Sequence, residues 1–301
     1  MKTPWGDLRV ADAHVHFLSW NFFRLLTGGR DPAEVCAELG WAEPPERPDL
    51  LAAMWVAELQ QCGVERCAII ASLPGEEASV VAAVAAFPER LWGWFFLNPT
   101  DADALERLEK GMDLGLKTVC LLPAMHAYSL SDPRVESVLL AAERRAATVF
   151  VHMGVLSVGV RKKLGLPSRF DMRYSNPLDL HAPALRHPTL NFIVPHFGAG
   201  FFPEALMVAD LCPNVYLDTS SSNAWTKYHT PELTLNQVFG RALAVVGPER
   251  LLFGTDSSYF PRGWHQAVFE QQIQALAGCG VNAKAAEMIL GGNLRRLMGS
   301  G

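Results

Sequence analysis

The stretch VADAHVHF, Val10 to Phe17, sets His14 and His16 two residues apart at the end of an apolar run. In an extended strand alternate residues point the same way, so the two imidazoles share one face. Paired imidazoles make poor core residues and good ligands for a divalent metal. Three more residues of suitable chemistry close later apolar runs: His152 in VFVHMG, His196 in FIVPHFGAG and Asp256 in LLFGTDSSYF. Histidines joined by one carboxylate form a donor set for zinc or a similar ion. A structural zinc would draw on thiolates close together in sequence. These donors are far apart in the chain, which favours a catalytic site with a position open to water or substrate.

Donors so scattered need a scaffold that gathers them. Short apolar runs at Leu8–Ala13, 67–70, 91–97, 117–122, 148–152, 190–194, 215–218 and 251–254 read as strands buried on both faces. Helical patterns lie between them at 49–63, 76–88, 101–115, 132–146 and 231–247, with room for short helices in 177–187 and 199–211. This alternation predicts an α/β fold, a (β/α)8 TIM barrel formed by residues 1–301 as a single domain. An open doubly wound sheet is the alternative, but no glycine-rich phosphate loop follows the first strand. Two insertions are expected, 17–48 after strand one and 153–176 after strand five. In such barrels the working residues sit at the C-terminal ends of strands, where His14, His16, His152, His196 and Asp256 fall. His187 and His229 read as surface-loop residues, and His265 as a surface residue opening a helix.

Composition narrows the partners. Hydrophobic residues make up 50% of the chain, charged residues 19%, and the net charge is −5 with no basic block. That supports a sizeable core and argues against nucleic acid. The six cysteines form no CxxC pair and read as reduced thiols. MKTPWGDLRV lacks the apolar core of a signal peptide, and no apolar run reaches the ~20 residues of a membrane span. A cytoplasmic protein with a small-molecule substrate and no membrane partner is expected. The apolar segment SWNFFRLL (19–26) either covers the pocket or pairs with a second copy in a homodimer. No GxSxG elbow occurs, and LGGNLRRL reads as a turn capping the last helix, with Asn293 tying that helix to the barrel.

The segments DAHVH, GLKTVCLLP, VHMG, PHFGAGFFPEAL, NVYLDTS, ERLLFGTDSSY and ILGGNLRRL span nearly the whole chain. In this order they resemble the amidohydrolase superfamily, in the branch that also holds non-oxidative decarboxylases of the aminocarboxymuconate-semialdehyde type. The resemblance implies that His14, His16, His152 and Asp256 bind the metal. His196 would stand beside the open position, where it ligates a second ion, polarises the substrate or moves a proton. Binuclear relatives bridge their ions with a carboxylated lysine at the end of strand four. Here that end reads Leu121–Pro123, and Lys117 lies at the opposite mouth, so a single ion is expected. Zinc is the first choice, with manganese the alternative because a carboxylate joins the histidines.

A divalent ion brings the pKa of bound water down to roughly 7. With Asp256 as general base and His196 stabilising the oxyanion, the parts suit hydrolysis of an ester, lactone or amide in a small ring-containing or carboxylated substrate. The alternative is a metal-dependent decarboxylase acting on an aromatic or unsaturated acid, with a cation from Arg161, Lys162, Lys163, Arg169 or Arg173 over its carboxylate. A non-catalytic barrel that keeps the metal for stability is the third reading. Substrate contacts are expected from Trp20, Asn98, His126, Arg161 and Tyr259, with Phe22, Pro99, Ser220 and Ser221 as further wall.

Overall fold

The structure, a computed structural model, describes all residues except Ser168, Arg169, Ser221, Ser222, Asn223, Tyr259, Pro261, Ser300 and Gly301. Eight parallel strands form one sheet in chain order. They are β1 (Ala11–His16), β2 (Arg66–Ala71), β3 (Leu91–Leu97), β4 (Thr118–Leu121), β5 (Thr148–Val151), β6 (Asn191–Val194), β7 (Val215–Asp218) and β8 (Leu251–Leu252). A hairpin of Lys2–Thr3 with Gly6–Asp7 precedes them. Helices separate successive strands, as in Pro48–Cys62 between β1 and β2 or Pro133–Arg144 between β4 and β5. The architecture is a (β/α)8 barrel, nearly closed.

Closure rests on few contacts. β8 is two residues long, so the seam with β1 is made largely by the chain beyond it. Ala13 N–H donates to the Phe253 carbonyl at 2.8 Å and His16 N–H to that of Ser257 at 2.7 Å. The Asp12 carboxylate reinforces the seam, accepting from Thr255 N–H (3.1 Å), Thr255 Oγ1 (2.6 Å) and Trp264 Nε1 (2.6 Å). At the C-terminus Asn293 Nδ2 donates to the carbonyls of Pro248 (2.7 Å) and Leu251 (2.8 Å), tying the last helix, Asn293–Leu297, under β8.

Burial follows the two faces of each strand. Ile70, Trp94, Phe150 and Ile193 fill the barrel interior, while Val15, Phe95, Val149 and Phe192 pack outward under the helices. The two insertions build a smaller cluster of their own. Phe22, Phe23 and Leu26 of helix Trp20–Leu26 and Val35 of helix Pro32–Leu39 pack against Val160 and Leu164 beyond β5. The segment 19–26 therefore covers the barrel mouth, the first of its two expected roles.

Some expectations shift. The first strand runs to His16 and starts three residues later than Leu8, because the apolar signal fades where polar site residues begin. The helix expected over 231–247 starts at Leu235, where Thr234 and Gln237 form a reciprocal cap. His187 is no surface-loop residue. It is 2% exposed, with Nδ1 2.9 Å from Glu143 and Nε2 3.1 Å from Glu136. His229 is half-buried against Phe202 and Trp225. No helix among the described residues is long and apolar enough to cross a membrane.

Candidate active site

β1 does not enter the site as a plain strand. Asp12 lies opposite Cys67 and Val15 opposite Ile69, so β1 carries one extra residue there. Such a bulge re-aims side chains. Without it Asp12, His14 and His16 would share a face. With it Asp12 turns to the β8 seam and the two imidazoles meet, Nε2 to Nε2, at 3.3 Å.

Asp256 Oδ1 completes a triangle, 3.6 Å from His14 Nε2 and 3.3 Å from His16 Nε2. The far sides of both rings show what this triangle is for. His14 Nδ1 lies 2.6 Å from Asp218 Oδ2, a buried carboxylate that can only accept, so Nδ1 carries the proton. His16 Nδ1 lies 2.7 Å from Ser72 Oγ, whose own proton goes to the Ile70 carbonyl at 3.0 Å. The hydroxyl therefore accepts from the ring. Both Nε2 atoms are left with bare lone pairs facing each other and a carboxylate oxygen. Three acceptors with no proton among them fit a cation, and nitrogen and oxygen donors of this kind suit zinc or a neighbouring divalent metal.

His152 and His196 lie beside the triangle. Their ring centroids are 5.1 Å apart, and that of His196 is 5.0 Å from His14. His196 ends β6 in a left-handed turn, with φ of 56° at His196, 52° at Phe197 and 42° at Ala199. Asp256 also has a positive φ, 57°. Non-glycine residues adopt this region at a cost, and such outliers concentrate at functional sites. Gly154, beyond β5, allows the close approach: a Cβ there would lie 2.1 Å from the Gly198 carbonyl.

The charges are mutually dependent. Burial works against ionised Asp256, yet the surrounding imidazoles of His16, His14 and His196 hold its carboxyl well below the ordinary range. Burial likewise opposes a charge on His14, but Asp218, helped by Asp256 and Asp12, raises it. Burial lowers His152 and His196, with neighbouring imidazoles adding to the effect, so both rings are neutral near pH 7.

Above these groups opens a cavity of about 540 Å³. Leu18, Phe22, Trp41, Phe96 and Leu156 supply apolar wall. Arg161, Lys163 and Arg262 also line it, with Lys163 Nζ 5.1 Å from the Trp41 ring centroid. His265 lines it too, as the residue preceding helix Gln266–Gly278, rather than facing solvent alone.

Of the expected substrate contacts, Arg161 reaches the cavity and three others do not. Trp20 turns away to Glu43, 3.2 Å from its Nε1. Asn98 is spent on its own turn, with Asp101 and Thr100. His126 stacks on Tyr128, centroids 6.3 Å apart. Tyr259, Arg169 and Ser221 lie outside the described residues. Sequence reasoning missed Asp218, Ser72 and Trp41. Asp218 and Ser72 carry one usable signal: like the histidines, they end or directly follow barrel strands.

A barrel with imidazoles and a carboxylate converging at its strand ends defines a class of metal-dependent enzymes. The amidohydrolase family profile matches residues 11–299, and the chain belongs to that family. A search of curated proteins finds no match. Among solved structures, an uncharacterised TIM-barrel protein from Bordetella bronchiseptica is 21% identical, with a TM-score of 0.68 over 97% of this chain and 99% of that one. The 5-carboxyvanillate decarboxylase LigW from Sphingomonas paucimobilis is 16% identical, with a TM-score of 0.64 over 97% and 99%. A "probable 2-pyrone-4,6-dicarboxylic acid hydrolase" from Acinetobacter baumannii, with citric acid bound, is 14% identical, with a TM-score of 0.62 over 97% and 100%. At these identities the likeness establishes the fold.

Proposed function

We propose that the chain is a metal-dependent hydrolase acting on an ester, lactone or amide bond of a small carboxylated substrate with an apolar or ring-containing body. The observation that carries this reading is the triangle of proton-free acceptors, His14 Nε2, His16 Nε2 and Asp256 Oδ1, beneath a cavity with cationic and apolar walls. These three residues, with His152 beside them, would hold one zinc ion. The ion would supply Lewis acidity at the scissile bond and a lowered pKa for water.

The chain's own groups supply the rest. The Asp256 side chain is 36% exposed and lines the cavity, so its carboxylate is within reach to take the proton of an attacking water and pass it to the leaving group. His196 steadies charge developing on the substrate oxygen. Arg161, Lys163 and Arg262 on the cavity wall favour a carboxylate on the substrate. The aromatic wall of Phe22, Trp41 and Phe96 fits a flat body.

The same cationic wall favours a second reading, decarboxylation of an aromatic or unsaturated acid, the reaction named for the Sphingomonas relative. One set of experiments tests both. Elemental analysis of chelator-free protein should give close to one zinc per chain. Zinc-loaded protein should then hydrolyse members of a lactone and ester panel without releasing inorganic carbon. Carbon dioxide release from aromatic acids, with the lactones untouched, would replace the first reading by the second. Protein that takes up no metal after reconstitution would overturn both.

A further inference from the structure

Ser220 sits two residues past the end of β7, fully buried, between two imidazoles. Its Oγ lies 3.0 Å from His14 Nδ1 and 2.9 Å from His196 Nδ1. Its backbone N–H donates to Asp218 Oδ1 at 2.6 Å, which fixes where the hydroxyl stands.

Among the described residues the hydroxyl proton has one good destination. His14 Nδ1 already carries a proton, committed to Asp218 at 2.6 Å, and cannot accept another. His196 Nδ1 is the remaining acceptor within reach among the described residues. In the reverse arrangement, with Nδ1–H of His196 donating to Ser220 Oγ, the buried hydroxyl proton would have no acceptor among the described residues. A buried polar group so stranded is unfavourable. The Ser220 carbonyl also faces the ring and favours its protonated form.

We propose that Ser220 is a positioning residue that donates to His196 Nδ1 and thereby presents Nε2–H of His196 to the substrate. His196 is then a hydrogen-bond donor and no metal ligand, whereas His14 and His16, pinned in the opposite tautomer by Asp218 and Ser72, are acceptors. One β7 segment thus gives adjacent imidazoles opposite roles, Asp218 to His14 and Ser220 to His196. The inference rests on the metal-site reading above.

The test is tautomer determination by long-range proton–nitrogen correlation on zinc-loaded protein labelled with nitrogen-15 in histidine. His196→Gln identifies the resonances by their loss. The expected result is a proton on His196 Nε2 and a hydrogen-bonded, unprotonated Nδ1. Ser220→Ala should shift the Nδ1 resonance to that of an unbonded nitrogen and raise the population protonated there. Ser220→Thr, which keeps the hydroxyl, should restore the original pattern. A His196 protonated at Nδ1 or bound to zinc through Nε2 would overturn the proposal. So would a His196 spectrum unchanged by Ser220→Ala. Zinc stoichiometry on the same samples keeps the two readings apart. Protein without zinc would sink the metal reading, while the metal-free spectrum would still report the tautomer and decide the role of Ser220.

Discussion

Asp218→Asn is the sharpest perturbation of the site that leaves every proposed ligand in place. Asp218 uses both oxygens, one toward His14 Nδ1 and one for Ser220 N–H, each at 2.6 Å. An asparagine has one acceptor oxygen. If it serves Ser220, the amide N–H faces His14 Nδ1, which must then accept, and the ring proton moves to Nε2, where it blocks the metal. If it serves His14, the amide N–H confronts Ser220 N–H. Zinc binding then demands either a proton back on Nδ1 against the amide N–H or the amide N–H against that of Ser220, costing about 1–3 kcal/mol. At about 1.4 kcal/mol per factor of ten, that weakens zinc binding roughly 10- to 100-fold, the range typical of partners behind metal-bound histidines. The assay is competition for zinc against a chromophoric chelator at fixed pH. Circular dichroism checks that the barrel is intact. Zinc affinity within about threefold of wild type in a folded Asp218→Asn protein would refute the tautomer reasoning.

Other outcomes follow from the same structure. Asp256→Asn and His196→Ala should each lower turnover by about 10²- to 10⁴-fold with the far-ultraviolet spectrum unchanged, and full activity in both would remove them from the site. Burial pushes the Asp12 carboxyl up to about 6, despite hydrogen bonds from Thr255, His14 and Trp264. Its raised value makes a contribution to stability that is complete below the unfolded pKa and lost as pH rises through the folded one. Metal-free wild type should therefore gain on the order of 2 kcal/mol relative to Asp12→Asn between pH 7 and pH 4, measured by urea unfolding, and a pH-independent difference would contradict it. Asn293→Ala removes the donor shared by the buried Leu251 carbonyl and the part-buried Pro248 carbonyl and should cost about 1–3 kcal/mol in the same assay.

The barrel was legible because its strands read as short apolar runs at regular intervals, and residues 91–97 and 215–218 are strands end to end. The convergence of His14, His16 and Asp256 was legible for a related reason: metal-donor side chains are conspicuous at the end of an apolar run. What lay hidden depends on direction rather than position. Asn98, Trp20 and His126 follow strand ends, yet each turns to a local partner, and sequence distance carries no information about that choice. Asp218 and Ser72 were invisible as partners because their roles arise from contacts between different strands. The bulge that separates Asp12 from the histidines leaves no compositional trace, since it is set by register against β2.

The cluster formed by the two insertions has a consequence for divergence. The proposed ligands sit at the ends of strands fixed by the β ladder, while much of the cavity's apolar wall belongs to segments with their own small core, Phe22 and Leu26 against Val160 and Leu164. Substitutions there reshape the chamber without disturbing a single rung of the sheet. The reaction can be inherited unchanged while the choice of molecule drifts, and a descendant could acquire a new substrate by remodelling residues 17–48 and 153–167 alone.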